Sequence, residues 1–189
     1  MVKQGELFGV HAPALVPGLV QVLEAVTPTD EAALTARIDA APLAPFQFGQ
    51  WEGKRLTTHY GRAYDFARHR LDEAPPMPPW LAALRDRLAP LAGMDPAALT
   101  AALLIRYDPG AGIGWHRDRP QYGEVLGLSL GAPCTLRLRR RTATGFERRH
   151  LDLPPRSLYR LSGEVRWEWE HSIVPLADTR RSVTFRTLR

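Results

Sequence analysis

The spacing of apolar residues predicts helices in the first half of the chain and strands in the second. One helix is predicted to begin at an N-cap at Thr29 and to run to about Ala40. The signals are acidic residues in its first turn and two apolar residues four positions apart, Leu34 and Ile38. A second helix is predicted after the two prolines at positions 78 and 79, which suit a first helical turn. Its apolar residues recur at intervals that place them on one wide face: Trp80, Leu81, Leu84, Leu88 and Leu91. We expect both helices to buttress a sheet.

Beyond about residue 100, short apolar runs are separated by Gly, Pro and Asp breaks, a pattern typical of strands. The clearest alternation is at Leu136 and Leu138, which are interleaved with arginines, and at Val183 and Phe185, which are interleaved with polar residues. Other predicted strands cover residues 101–107, 125–130, 150–153, 157–161 and 165–172, and the apolar run at 15–23 predicts a strand or core-entry segment. Many short strands at this spacing favour a sandwich or jelly roll over a parallel sheet with crossover helices.

Length and composition indicate one soluble domain over residues 1–189. A chain of 189 residues with 44% apolar and 24% charged residues has enough apolar side chains for a sizeable core. The first twenty residues mix charges with apolar side chains, so we expect neither a signal peptide nor a membrane span. Cys134 is the only cysteine, which excludes an intramolecular disulfide and fits a reducing environment. We therefore expect a cytoplasmic monomer.

The charge balance is basic, with a net charge of +5 and a sequence pI of about 9.9. Such a balance favours a polyanionic partner through long-range attraction. All but two of the 25 basic residues are arginines, the exceptions being Lys3 and Lys54, and the chain is also heavy in Ala, Pro and Gly. This bias is equally typical of a skewed genome base composition, so both explanations stay open at this point.

A histidine and an aspartate one residue apart end the stretch LIRYDPGAGIGWHRD at residues 104–118. Alternate side chains of an extended backbone share a face, so His116 and Asp118 are expected to project side by side. The strand-like run WEWEHSI supplies His171 as the best-placed second imidazole. Two histidines and one carboxylate on one face of a metal leave coordination positions open, as in non-haem Fe(II) oxygenases. The sequence therefore predicts a site of this type.

The last predicted strand, in RRSVTFRTLR, places polar and basic side chains on one face: Arg180, Ser182, Thr184 and Arg186. Guanidinium groups bind carboxylates bidentately, and two long side chains from the ends of such a row can converge on a small dianion. Arginines on a terminal strand are also common at a solvated surface. Beside the predicted metal ligands, they favour a dicarboxylate co-substrate.

The order of these motifs resembles the AlkB family of Fe(II)- and 2-oxoglutarate-dependent dioxygenases. The similarity covers Tyr107, the HRD at 116–118, LGLSLG at 126–131, EHSI at 170–173, Arg180 and TFR at 184–186. The resemblance implies a double-stranded β-helix (jelly roll) at residues 101–189, preceded by N-terminal helices and a substrate lid at residues 1–100. It also implies Fe(II) on His116, Asp118 and His171. Arg180 and Tyr107 would then hold the distal carboxylate of 2-oxoglutarate, with Arg186 at the end near the metal.

A second, looser similarity covers GKRLTTHYGRAYDF at residues 53–66, which resembles the substrate lid of that family. By this match Arg55, Tyr60, Tyr64 and Phe66 would line the mouth of the site, with an aromatic ring and His116 flanking the target base. Extruded bases are held between flat side chains, so the residue types agree. The alternative is that Tyr64 and Phe66 are same-face core residues of a strand.

Three positions depart from the family pattern. Ile105 and Ser182 stand where many members carry asparagine, and Pro120 stands where well-known DNA-repair members carry an acidic residue. Isoleucine removes a polar contact, whereas Ser182 can still form a hydrogen bond within the co-substrate site. The side chain of Pro120 cannot accept a hydrogen bond from an exocyclic amine. Either another residue recognises the base, or the preferred substrate is different.

The resemblance implies oxidative demethylation of alkylated bases in DNA or RNA. Such a reaction consumes O₂ and 2-oxoglutarate and releases formaldehyde, succinate and CO₂. An oxygenase acting on a protein or a small molecule is the first alternative, and an inert jelly-roll binding module, if Ile105 and Ser182 prevent co-substrate binding, is the second. Arginines flanking the predicted turn at Gly145 are either a phosphate-facing hairpin or a solvated one: Arg137, Arg139, Arg140, Arg141, Arg148 and Arg149.

Overall fold

A computed structural model of the chain describes residues 15–48 and 51–189. Most of the N-terminal stretch for which neither a signal peptide nor a membrane span is expected lies outside the described residues. In the part that is described, none of the helices has the length and apolar character needed to cross a membrane.

The described residues form strands and helices in a mostly antiparallel arrangement. The strands are β1 (Leu19–Val22), β2 (Ala44–Phe48), β3 (Trp51–Tyr60), β4 (Arg62–Asp65), β5 (Arg70–Glu73), β6 (Leu99–Tyr107), β7 (Ile113–His116), β8 (Tyr122–Gly131), β9 (Cys134–Thr142), β10 (Gly145–Leu153), β11 (Leu158–Leu161), β12 (Glu170–Ile173) and β13 (Arg180–Leu188). The helices are α1 (Pro28–Asp39), α2 (Pro79–Leu88) and α3 (Gly163–Trp167), and short 3₁₀ turns cover Ala89–Ala92 and Pro96–Ala98.

Two sheets enclose a shared core. The large sheet has the strand order β1-β11-β8-β13-β6-β3-β2, the small sheet has the order β10-β9-β12-β7, and β4 pairs with β5 in a separate hairpin. Inward side chains of the large sheet, such as Leu103 and Ile105, pack in one cluster with Leu136, Leu138 and Leu151 of the small sheet. The chain is therefore a jelly roll, as the alternation of apolar residues predicts.

The central strands of the large sheet are buried on both faces. Leu104 of β6 points away from the inner core and is fully buried against the helical layer, where Leu34, Ile38, Leu81 and Leu84 pack. Strands that are covered on both sides read as continuous apolar runs rather than as clean alternation. The two helices therefore buttress the sheet, as their apolar faces predict.

Two details of the helices correct the sequence prediction. The N-cap of α1 is Thr27 rather than Thr29, because the Thr27 hydroxyl accepts a hydrogen bond from the amide of Asp30 at 3.1 Å and the Asp30 carboxylate accepts one from the Thr27 amide. This reciprocal capping box places Pro28 in the first helical turn. In α2 the predicted apolar face ends at Leu88, since Leu91 falls in the 3₁₀ turn and is 48% exposed.

The predicted strand at residues 165–172 is wrong in its first part. Gly163, with φ of +50°, opens the short helix α3, and only the segment from Glu170 onward is strand β12. The alternating tryptophans and glutamates therefore do not lie on one pleated strand. Trp167 ends the helix, and Trp169 is buried just before β12. The helix buries Val165 and Arg166.

Strands from the first half of the chain complete the large sheet. β1 pairs with β11 at one edge, and β3 pairs with β6 and carries β2 at the other edge. The residues before 100 therefore contribute sheet edges as well as helices. This placement brings the inward face of β3 over the space between the two sheets.

Candidate metal and co-substrate site

The three predicted metal ligands lie together at the edge of the small sheet that β7 forms. His116 ends β7 and lies directly opposite His171 of β12 in the strand register, which places their ring centroids 4.2 Å apart. Asp118 follows two residues after His116, and its Oδ1 lies 3.8 Å from the Nε2 atom of each imidazole. One ligand atom from each residue lies within 4.8 Å of the others, so one ion can contact all three.

The donor set fits Fe(II). It consists of two imidazole nitrogens and one carboxylate oxygen, which is the set that non-haem iron oxygenases use. The Nδ1 atom of His116 lies 2.9 Å from the carbonyl oxygen of Gly114, so this nitrogen carries the proton and Nε2 is the one free to bind a metal. The orientation of this ligand is thus set by the backbone of its own strand.

The electrostatics favour the metal-binding form of all three side chains. Burial opposes ionisation of Asp118, but the Arg186 guanidinium and the two imidazoles hold the pKa of that carboxyl well below its ordinary value. Burial lowers the pKa of His171 to about 3 and also lowers the pKa of His116. At neutral pH the site therefore presents one carboxylate and two neutral imidazoles, the protonation states that metal binding requires.

Strand β13 places its predicted polar row along one cavity. The side chains of Arg180, Ser182, Thr184 and Arg186 all line a cavity of about 550 Å³ that also contains the three candidate ligands. Arg186 lies at the metal end, where its Nε donates to Oδ2 of Asp118 at 2.6 Å. Arg180 lies six residues along the strand, near the other end of the row.

Arg180 provides the test of whether 2-oxoglutarate fits. It is 1% exposed, its Nε donates to the hydroxyl of Ser129 at 3.0 Å, and its guanidinium carbon lies 5.2 Å from the centroid of the Tyr107 ring. Its Nη2 atom is buried without a hydrogen-bond partner among the described residues. A buried charged donor without an acceptor is costly, so a carboxylate at this point would satisfy it. The residues present therefore fit the co-substrate.

An aromatic and basic opening lies above the metal ligands. Tyr64 and Phe66 contact each other edge to face with ring centroids 5.1 Å apart, and the Arg119 guanidinium carbon lies 5.0 Å and 4.7 Å from their centroids. Arg55 lies over the ring of Phe46 at 4.0 Å. Of the predicted lid residues, Arg55, Tyr64 and Phe66 line the cavity.

Tyr60 does not line the cavity. It packs against the core between the large sheet and the helices, because the alternation along β3 points Arg55, Thr57 and His59 inward and Tyr60 outward. His59 takes the inward place that the sequence prediction assigned to Tyr60. Its burial, with the nearby charges of Arg186 and Arg55, lowers its pKa to about 4, so it is neutral at neutral pH.

A buried arginine that was not predicted from the sequence supports the loop between β7 and β8, residues 117–121, which contains Asp118 and which we call the ligand loop. Arg166 of α3 is 3% exposed, and its guanidinium donates to the carbonyl oxygens of Gly123 at 2.6 Å, Tyr122 at 2.7 Å and Arg119 at 3.0 Å. These bonds tie down the segment that follows Asp118. No sequence signal marked Arg166, because its segment was predicted as strand. Arg119 itself could have been found from its place beside Asp118.

Comparison with known proteins places the chain in a family. A family model described as the 2OG-Fe(II) oxygenase superfamily matches residues 40–189. The chain therefore belongs to the 2OG-Fe(II) oxygenase superfamily. This membership implies Fe(II), 2-oxoglutarate and O₂ as the metal, co-substrate and oxidant, and the site described above fits them.

Within the superfamily the chain is AlkB-like. It is 32% identical over 174 residues to the tRNA (carboxymethyluridine(34)-5-O)-methyltransferase alkbh8 of Xenopus tropicalis, covering 88% of this chain and 26% of that protein. It is 27% identical over 184 residues to the Alkylated DNA repair protein ALKBH8 homolog of Arabidopsis thaliana, covering 84% of this chain and 51% of that protein. The chain thus spans about a quarter and about half of the length of these two relatives.

Solved structures share the fold. OsALKBH1 superposes with a TM-score of 0.67 at 16% identity, covering 91% of this chain and 97% of that chain. A prolyl-4-hydroxylase from Pseudomonas putida superposes with a TM-score of 0.58 at 21% identity, covering 91% and 93% of the two chains. These likenesses confirm the predicted jelly roll.

The lowered pKa of His59 predicts a pH dependence of stability. The folded chain takes up the proton only near pH 4, whereas the unfolded chain takes it up near pH 6.5. Stability is therefore lost as the pH falls from about 6.5 towards 4, and the His59→Asn variant is spared this loss. In urea denaturation of metal-free protein, we expect wild type to lose about 2 kcal/mol more than the variant between neutral pH and about pH 4.5.

The exposed His150 provides the control for this measurement. The His150→Asn variant should follow the wild-type stability curve over the same pH range. If His59→Asn loses as much stability on acidification as wild type does, His59 is not held neutral in the folded protein.

Arg180 and Arg181 provide a matched test of co-substrate binding. Arg180→Lys removes the guanidinium that donates to Ser129 and faces the cavity, so we expect the dissociation constant of 2-oxoglutarate to rise about tenfold or more. Arg181→Lys makes the same change on the opposite face of β13, where Arg181 pairs with Asp39 at 2.6 Å. It should change that constant less than twofold. Calorimetric titration of Mn(II)-loaded protein measures both, and equal effects would contradict the assignment.

Proposed function

We propose that the protein is an Fe(II)- and 2-oxoglutarate-dependent oxidative demethylase of alkylated nucleobases in DNA or RNA. The observation that carries the proposal is one cavity with two different ends. The metal ligands and the buried Arg180 form its inner end, and flat rings with stacked guanidiniums, at Tyr64, Phe66 and Arg119, form its opening. The inner end suits an oxygenase, and the opening suits a flat heterocycle.

The chain's residues divide the work of the inner end. His116, Asp118 and His171 would hold the iron, and Arg180 with Tyr107 and Ser182 would hold the distal carboxylate of 2-oxoglutarate. With O₂ and 2-oxoglutarate, the iron supplies the oxidising power that hydroxylates an N-methyl group, whose product then releases formaldehyde.

Arg186 has the task of orienting the metal-binding carboxylate. Its bond to Oδ2 of Asp118 leaves Oδ1, the oxygen nearer to both imidazoles, for the metal. Because Arg186 is buried and held by this bond, it would also offer a positive charge to the end of 2-oxoglutarate that binds near the metal. This positioning requires no proton transfer.

The side chains around the opening favour bases that present carbonyl oxygens. Among the described residues that line the cavity, Asp118 is the sole carboxylate, and it is engaged by Arg186. Arg55 and Arg119 offer donors instead, and the Nε atom of Arg55 is buried without a hydrogen-bond partner in the described structure. Pro120, where the family often has an acid, is consistent with this preference. Methylated uracil and thymine therefore suit the cavity better than methylated adenine.

Charge and relatives add support for a nucleic-acid substrate. The net charge of +5 favours a polyanion. The names of the two relatives given above refer to tRNA methylation and to repair of alkylated DNA. An oxygenase that acts on a protein or a small molecule would keep the same inner end but would not need the flat, basic opening. Family membership favours an enzyme over an inert binding module.

A formaldehyde-release assay on methylated single- and double-stranded DNA and RNA tests the proposal. We expect formaldehyde and succinate to form in equal amounts with at least one methylated oligonucleotide, faster for 3-methyluracil or 3-methylthymine than for 1-methyladenine. Unmethylated oligonucleotides and the His116→Ala variant should give no formaldehyde. Succinate formation that no methylated oligonucleotide stimulates would contradict the proposal and favour a protein or small-molecule substrate.

A further inference from the structure

The outward face of the small sheet carries an unusual concentration of cations. On β9 and β10, Leu136, Leu138 and Leu151 point into the core, so the alternate residues point outward. We name this surface the arginine face and define it by these residues of β7, β9 and β10 and the residue after β7: Trp115, Arg117, Arg137, Arg139, Arg141, Phe146, Arg148 and His150. The same side of the sheet also carries two acids, Asp152 of β10 and Glu170 of β12.

Aromatic rings order the guanidiniums of the arginine face. The guanidinium carbons of Arg137 and Arg139 lie 4.9 Å and 4.4 Å from the centroid of the Trp115 ring. Those of Arg139, Arg141 and Arg148 lie 4.4 Å, 5.2 Å and 5.8 Å from the centroid of the Phe146 ring. Cation–π contacts of this kind hold the long side chains in place. Arg137, Arg139 and Arg148 each also donate one hydrogen bond, to Ser172, to Glu170 and to the Phe146 carbonyl oxygen, and the other donors of these guanidiniums remain available. The face is therefore a preorganised row of hydrogen-bond donors.

The positive charge of the arginine face is largely unneutralised. Arg139 pairs with Glu170 at 2.6 Å, but within the described ranges no carboxylate oxygen lies within 4.0 Å of a side-chain nitrogen of Arg117, Arg137, Arg141 or Arg148. Arginines elsewhere differ, since Arg156 pairs with two glutamates and Arg181 with Asp39. Clustered like charges repel one another unless an anion is bound among them, so the face fits a polyanion.

The arginine face is continuous with the catalytic cavity. Trp115 directly precedes the ligand His116, and Trp115 also lines the cavity. Arg117 lines both that cavity and a shallower depression of about 340 Å³. The depression is also lined by Arg139, Arg141 and Phe146 of the face and, on its other side, by Glu168 and Glu170. A nucleic-acid strand whose reactive group lay at the metal would therefore have this surface within reach.

We propose that the arginine face binds the phosphate backbone of the nucleic-acid strand whose target base occupies the cavity, an inference that rests on the proposed function. Arg137, Arg139 and Arg141 recur at every second residue of β9, roughly 6.6 Å apart along an extended strand. This repeat is close to the separation of successive phosphates along an extended polynucleotide. Regular phosphates engage such a row in turn, and these contacts position the strand without reading its sequence.

Binding of a fluorescein-labelled, unmethylated 12-nucleotide strand, measured by fluorescence anisotropy over a range of salt concentrations, tests the arginine face. The exposed pair Arg141→Gln and Arg148→Gln should weaken binding about tenfold at about 0.1 M salt and reduce the salt-dependence slope by about 1.5. A control pair on α2, Arg85→Gln and Arg87→Gln, removes the same charge from the opposite, helical side of the large sheet. It should change affinity less than twofold.

Lysine variants and turnover separate the possible outcomes. Arg141→Lys with Arg148→Lys keeps the charge and should retain the salt slope, and 2-oxoglutarate affinity should be unchanged in every variant if the fold is intact. Equal weakening by both glutamine pairs, or no binding by wild type at about 0.1 M salt, would overturn the inference. If binding depends on the arginine face but no methylated strand is demethylated, the proposed function fails and the docking surface stands. If the Arg141 and Arg148 variants demethylate methylated strands at subsaturating concentration as fast as wild type does, the docking surface fails and the function stands.

Discussion

The antiparallel pairing of β7 with β12 is the constraint on which the site depends. It places His116 directly opposite His171, so that two imidazoles 55 positions apart in sequence share one face of the small sheet. A slip of one residue in this register would turn one imidazole to the opposite face and remove it from the site. The pairing of β12 with β9 adds a second row of backbone hydrogen bonds that holds the same register.

The third ligand joins the two sheets. Asp118 lies two residues after the end of β7 in the small sheet. Its Oδ2 accepts a hydrogen bond at 2.6 Å from Nε of Arg186, which belongs to β13 of the large sheet. A buried ion pair of this kind stabilises little by itself, because both charges lose their hydration. Its value lies in orientation, since it holds the carboxylate anionic and turns one oxygen towards the imidazoles. The row on β13 extends from this pair to Arg180 along one cavity, so in the proposed function one strand would define both ends of the co-substrate position.

The elements predictable from sequence are those whose signal is local. Period and spacing determine which side chains share a face. The structure therefore agrees with the sequence on the HxD spacing, the alternation along β13 and the apolar faces of α1 and α2. Which face of a strand turns inward is a different matter. For β3 it depends on the pairing with β6, and this pairing turns His59 rather than Tyr60 into the cavity.

Side chains that act across long sequence separations were not predictable. Arg166 reaches the carbonyl oxygens of residues 43 to 47 positions away, and nothing near it in sequence reveals those partners. Ser129 gains its contact with Arg180 only because β8 lies beside β13. The stacking of Arg119 on Tyr64 and Phe66 likewise requires the hairpin of β4 and β5 to lie near the ligand loop.

The proposed function requires that His116, Asp118 and His171 together bind one Fe(II) beside 2-oxoglutarate. Anaerobic titration of the purified protein with Fe(II) and 2-oxoglutarate, followed by absorption spectroscopy, tests it most directly. We expect a visible metal-to-ligand charge-transfer band in wild type and in the exposed-site control His150→Ala, and no such band in His171→Ala. An undiminished band in His171→Ala, or no band in wild type, would show that these three residues do not form the Fe(II) and 2-oxoglutarate site.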